Sequence, residues 1–185
     1  MPADGAERAF VPDRKLSAAH HRVHHRRSGT GDDHHALPDP RRGRRDGAKE
    51  AFEKAGMEVV AVEQCDFDAQ KAYDAASAII DANPDLVGIT CGNDDMALGV
   101  VKALEEKGVK DKVMVVGVDF TAEAKAAIEE GTYDATVAMS PYLMGREGVI
   151  IMLKALEGQD VSEVGDSTPM ALVDAENVAQ MSDWK

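Results

Sequence analysis

The 185-residue chain is 44% hydrophobic, enough to bury the core of one domain, and it has no run of eighteen apolar residues that would cross a membrane as a helix. Its formal charge of −13 is unevenly held: residues 1–45 carry ten Lys/Arg against six Asp/Glu, whereas 46–185 carry eleven against twenty-eight, an acidic excess of seventeen that would repel phosphate and argues against a nucleic-acid partner. Two cysteines, Cys65 and Cys91, lack Cys-x-x-Cys spacing and suggest neither a disulfide framework nor a zinc site, so they are expected as small buried hydrophobes.

Residues 1–45 contain all six histidines (His20, His21, His24, His25, His34 and His35), three Arg-Arg pairs and few large apolar side chains. Neither the strand period nor the helix period fits them. "HHRVHHRR" could be read as a metal site or a phosphate-binding arm, but no carboxylate or cysteine stands at a helical spacing to the imidazoles. A biased, disordered segment is the preferred reading, and no metal or cofactor is expected.

From residue 46 a regular alternation begins. "DGAKEAFEKAG" (46–56) reads as a helix stopped by Gly56, and "MEVVAVEQ" (57–64) as a strand. In 68–84, Ala69, Ala72, Tyr73, Ala76, Ile79 and Ile80 share one helical face, and Pro84 ends the helix by forcing Asn83 out of the helical region. "DLVGIT" (85–90) is a strand, and a helix from Asn93 to Lys107 turns Ala97, Val100, Val101 and Leu104 inward before Gly108 stops it. "KVMVVGV" (112–118) is apolar on both faces, which predicts a central strand. Residues 121–131 form a helix, 133–139 a strand, and 141–158 a helix capped by Ser140 with Pro141 in its first turn. A last strand is predicted at 169–174.

Short strands alternating with helices imply an α/β fold: a Rossmann-like, doubly wound, mostly parallel sheet. Ligands bind such sheets at the carboxyl ends of the strands. That rule selects Cys65 to Phe67, Gly92 to Asp95, Asp119 with Phe120, and Met139 with Ser140, four loops on one rim. Asn93 suits both a ligand and the helix N-cap, while Asp94 and Asp95 favour the positive end of the helix dipole. Asp119 follows a central strand, where a carboxylate is solvated, paired or used; a capping role is the alternative. Phe67 stands between two aspartates in "CDFDA", a setting that suits the C–H face of a sugar ring.

For catalysis the inventory is poor. The acidic region has no histidine, no Gly-x-Ser-x-Gly elbow, no phosphate-binding glycine loop and no His-Glu-x-x-His. Adjacent carboxylates such as Asp94 and Asp95 rarely point at one Mg²⁺ ion. The chain is therefore read as a binder and not as an enzyme.

"NPDLVGITCGNDDMALGVVKALEEKG", "VMVVGVDFTAEAKAAIEEG", "YDATVAMSPYLMGREGV" and "PMALVDAENV", in this order and spacing, resemble the ribose/galactose type of periplasmic sugar-binding proteins, the substrate receptors of ABC transporters. The resemblance covers about 44–178 and implies one lobe of a type I periplasmic-binding-protein fold. It implies that Asn93 and Arg44 (or Arg45, one residue on) hydrogen-bond a monosaccharide, that Asp119 accepts two of its hydroxyls and that Phe67 stacks on the ring. Met139 stands where ribose receptors carry a polar residue, which leaves the sugar, pentose or hexose, open. ABC permease subunits are the implied partners and the periplasm or cell surface the implied location. As written, the N-terminus has no secretory signal pattern, and such a chain would stay in the cytoplasm.

Family members close two similar lobes over the sugar, and here the first is essentially missing. Only "VPDRKLS" (11–17) faintly resembles a segment of it, and the apolar strand expected before Arg44 is replaced by residues rich in His, Arg, Asp and Pro. Residues 1–43 are expected to be a frame-shifted or aberrant remnant, 44–178 the sugar-binding lobe and 179–185 a tail. The alternative function, an effector domain of a lactose-repressor-type regulator, would need an N-terminal helix-turn-helix, and residues 1–45 have no such pattern.

Overall fold

The computed structural model describes residues 15–19, 40–161 and 169–181. In chain order the elements are β1 (Lys15–Ala19), α1 (Pro40–Lys54), β2 (Glu58–Glu63), α2 (Ala69–Ala82), β3 (Leu86–Cys91), α3 (Asp94–Glu106), β4 (Met114–Asp119), α4 (Ala122–Glu129), β5 (Ala135–Met139), α5 (Pro141–Leu156) and β6 (Met170–Asp174), with 3-10 turns at Lys110–Lys112 and Val178–Met181. Local chemistry sets the helix ends. Asp68, Asn93, Thr121 and Ser140 each accept the backbone N–H three residues on, so α2, α3, α4 and α5 all begin on a side-chain cap. Gly56, Gly108, Gly131 and Gly158 follow α1, α3, α4 and α5 with φ between 67° and 77°, the left-handed stop that glycine adopts without strain.

The strand order is β2-β1-β3-β4-β5-β6, parallel from β2 through β5 and antiparallel at β6. The doubly wound α/β architecture expected from the alternation is thus present. Two readings of the N-terminal region are corrected. Lys15–Ala19 is an interior strand, next to the edge strand β2 and paired with β2 on one side and β3 on the other, although no strand period was legible there. A five-residue strand hydrogen-bonded on both edges is held by its neighbours' backbones and needs little apolar patterning of its own. Helix α1 starts at Pro40, six residues before the predicted start, because Pro suits a first helical turn and arginine is a good helix former. The histidines at 20–35 lie outside the described residues.

The core lies between the sheet and α2, α3 and α4. Ala72, Ala76, Ile79 and Ile80 of α2 meet Val100, Val101, Ala103 and Leu104 of α3, and Ile89 and Val115 supply the strands. Each fully buried Val, Leu or Met contributes roughly 1.5–3 kcal/mol. Helices α2 and α3 approach closely at Gly99, where a Cβ would stand 2.2 Å from the Ala69 carbonyl oxygen. The turn at Val178–Met181 folds back onto α4 and buries Val178. Both cysteines are free and buried, and burial pushes the Cys65 thiol up to about 11.

Candidate ligand-binding rim

Parallel pairing of β2, β1, β3, β4 and β5 puts their carboxyl ends on one edge of the sheet, which brings the four selected loops together. Two of these loops share an unusual backbone. Asp66 and Phe67 have φ of 52° and 59°, and Asp119 and Phe120 have φ of 117° and 61°; among the described residues these four are the non-glycine positions with positive φ. Such conformations are costly for residues with a Cβ and cluster at functional sites. Both corners thus set an Asp-Phe pair into a strained turn beside a strand end.

Arg44, on α1, reaches across the rim. Its Nη1 donates to the Gly92 carbonyl at 2.7 Å and its Nη2 lies 3.7 Å from Met139 Sδ, so one guanidinium ties α1 to the ends of β3 and β5. Arg45 instead pairs with its neighbour Asp46 at 2.6 Å. Phe67 is 38% exposed, and its ring edge lies 3.7 Å from where a Cβ would stand on Gly92. Asn93 caps α3 by accepting the Met96 N–H at 3.1 Å; it is 9% exposed, and its Nδ2 makes no hydrogen bond within the described residues. Asn93 therefore caps the helix and still keeps two donors.

Asp119 ends β4, half-buried, with its carboxyl held above the usual carboxylate range chiefly by burial; the Arg44 charge opposes that shift, and Asp94 and Asp95 add to it. Asp94 differs from the expected contributor to a helix start. It is fully buried: Oδ1 accepts Tyr133 OH at 2.9 Å and Thr136 Oγ1 at 2.6 Å, and Oδ2 accepts the Thr121 N–H at 2.9 Å. Burial pushes its pKa up, while these donors and the Phe120 amide hold it down. Asp95 is exposed and does remain at the positive end of the helix. Sequence reasoning missed Asp94, Tyr133 and Thr136 as a cluster. The available signal was Gly117 inside an apolar strand, since a glycine there marks a close approach; a Cβ at Gly117 would stand 2.2 Å from Tyr133 Oη and 2.8 Å from Asp94 Oδ1.

Among the described residues, no three His, Cys, Asp or Glu side chains are grouped to hold a metal ion, and no helix is long and apolar enough to cross a membrane. A cavity of about 300 Å³ opens far from the rim, between the carboxyl ends of α2 and α3, lined by Ile80, Leu86, Val109 and Val113 and edged by the Lys107–Asp81 ion pair at 2.5 Å. It shares no residue with the rim.

Residues 31–160 match the model of the periplasmic binding protein domain. The D-allose-binding periplasmic protein of Escherichia coli is 39% identical over 138 residues, which is 74% of this chain and 44% of that protein. The ribose import binding protein RbsB of Salmonella typhimurium is 36% identical over 120 residues, 65% of this chain and 40% of that protein. Among solved structures, an ABC transporter solute-binding protein from Bacillus halodurans with bound myo-inositol superposes with a TM-score of 0.76 at 26% identity, covering 94% of this chain and 56% of that one. The chain thus spans under half the length of these curated relatives.

Proposed function

The chain belongs to the periplasmic binding protein family, and from that premise we propose that it is the C-terminal, sugar-binding lobe of a monosaccharide receptor that serves an ABC transporter. The observation that carries the reading is the meeting, on one rim, of an exposed aromatic ring, a half-buried carboxylate, an asparagine with unused donors and a guanidinium. Phe67 stacks on the apolar face of the ring, Asp119 accepts hydrogen bonds from two hydroxyls, and Asn93 and Arg44 donate to hydroxyl oxygens. Met139 presents its thioether toward Arg44 and gives the sugar an apolar contact at that point. The pentose or hexose is captured and released unchanged, with ABC permease subunits as the receiving partner and the periplasm or cell surface as the place of work.

This lobe by itself supplies one wall of contacts, so the affinity measured on it is weak, with Kd on the order of 1 mM. Titration calorimetry of the full chain with D-allose and with D-ribose, in the presence of EDTA, tests this. Saturable heat that disappears in Asp119→Asn is expected. A chain that binds neither sugar, or that turns one over in a metal-dependent reaction, would defeat the reading.

A further inference from the structure

Asp119 can serve the rim only if the strained corner that carries it stays in place, and the structure shows what holds that corner. The Asp119–Phe120 turn has two consecutive positive φ angles, and the next residue, Thr121, caps α4 by accepting the Ala124 N–H at 3.1 Å. Directly beneath lies the fully buried Asp94 carboxylate, whose Oδ2 takes the Thr121 N–H. Its other oxygen is fixed by Tyr133 and Thr136, so the carboxylate cannot rotate away without leaving three donors unpaired. The vacancy at Gly117, two residues before Asp119, is what lets Tyr133 and Asp94 come this close.

We propose that Asp94 is the positioning residue of the sugar rim: it clamps the left-handed Asp119–Phe120 corner from below and thereby fixes where Asp119 presents its carboxylate. The functional part of this rests on the receptor reading above. Asp94 touches no ligand; it acts through Asp119. Because Asp94 directly follows Asn93, one helix terminus carries a ligand donor and the clamp that aligns the carboxylate on the neighbouring strand. Asp94 accepts from all three donors; an asparagine would keep its oxygen on the Thr121 N–H by turning its NH2 toward the two hydroxyls, which can accept, so the variant that removes the clamp is Asp94→Ala.

The test uses the full chain and needs no ligand at first. Three-bond HN–Hα couplings and amide-to-α NOEs at Asp119 and Phe120 report φ, and they are compared in wild type, Asp94→Ala and Tyr133→Phe. The proposal expects Asp94→Ala, which leaves the Thr121 N–H without its acceptor, to lose the left-handed signature at both residues, and Tyr133→Phe, which spares the Oδ2 to Thr121 bond, to keep it. A folded Asp94→Ala with unchanged couplings overturns it. If Asp94→Ala does not fold, native-state exchange of the Thr121 amide in wild type decides in its place: protection as strong as that of the core supports the clamp, and exchange as fast as that of an exposed turn overturns it. For D-allose, Asp94→Ala should bind about tenfold more weakly, while Val178→Ala, a core loss away from the rim, binds as wild type; equal affinity in Asp94→Ala and wild type overturns the positioning role. Should wild type bind no monosaccharide, the receptor reading fails, and the couplings still decide whether Asp94 is a clamp.

Discussion

Helices α3 and α5 begin alike and end up in different surroundings. Each follows a strand of the parallel sheet and opens on a side-chain cap, Asn93 to the Met96 N–H and Ser140 to the Leu143 N–H. In α3 eight residues are buried; in α5 none is, and Tyr142, Met152, Leu153 and Leu156 are 51–77% exposed. Their glycines differ in the same sense: Gly99 makes room for the Ala69 carbonyl, whereas a Cβ on Gly145 or Gly148 would meet nothing within 4 Å. Capping and apolar content make a helix, but burial requires an opposing surface, and the described chain offers one to α3 and not to α5.

The sharpest way to break this contrast is at the glycines. Gly99→Ala drives a methyl into backbone and should cost at least about 3 kcal/mol, measured as a lower urea midpoint or loss of folding. Gly145→Ala and Gly148→Ala should each raise the unfolding free energy by about 0.5–1 kcal/mol, read as a higher urea midpoint, since only helix propensity changes. Truncating leucines is the next test: Leu104→Ala in α3 should lose ~2–5 kcal/mol, and Leu156→Ala, 77% exposed, should stay within ~0.5 kcal/mol. Native-state hydrogen exchange should show α3 amides opening near the global unfolding free energy and α5 amides opening well below it.

The smallest effect is electrostatic and belongs to the α3 side. Burial raises the Asp119 pKa above 3.8, so the folded chain takes up this proton where the unfolded chain does not. Its contribution to stability therefore rises as pH falls from neutrality through the raised midpoint and levels off below 3.8. Urea midpoints of wild type should gain on those of Asp119→Asn across that window; curves that stay parallel would show the carboxyl to be unshifted.

Most of the fold was legible because periodicity and punctuation agreed. Strands β2 to β6 lie within two residues of the predicted spans, and Asn83, Gly108 and Ser140 act at the ends assigned to them. The rim was legible too, since strand polarity alone selects Phe67, Asn93, Asp119 and Met139. Three things were not. Lys15–Ala19 carries its place in the sheet in backbone hydrogen bonds, which leave no mark on side-chain pattern. Asp94 sits where an acid favours a helix start, and that local preference hides its contacts with Thr136 and Tyr133, about forty residues away. Helix α5 is announced by its Ser140 cap and Pro141, but these local signals do not say whether a covering surface exists.

The place of β1 between β2 and β3 also bears on the order of assembly. Lys15 pairs with Glu58 and with Leu86, 43 and 71 residues along the chain, and β2 and β3 reach each other only through β1. Until the N-terminal segment inserts, the sheet is two pieces: β3 to β6 on one side and an unpaired β2 on the other. Closing loops of that size before any hydrogen bond rewards the closure is entropically slow, so insertion of β1 is the expected rate-limiting event. On a ribosome this segment emerges before β2 and β3 and waits for both, so the join between them is completed only after both are made.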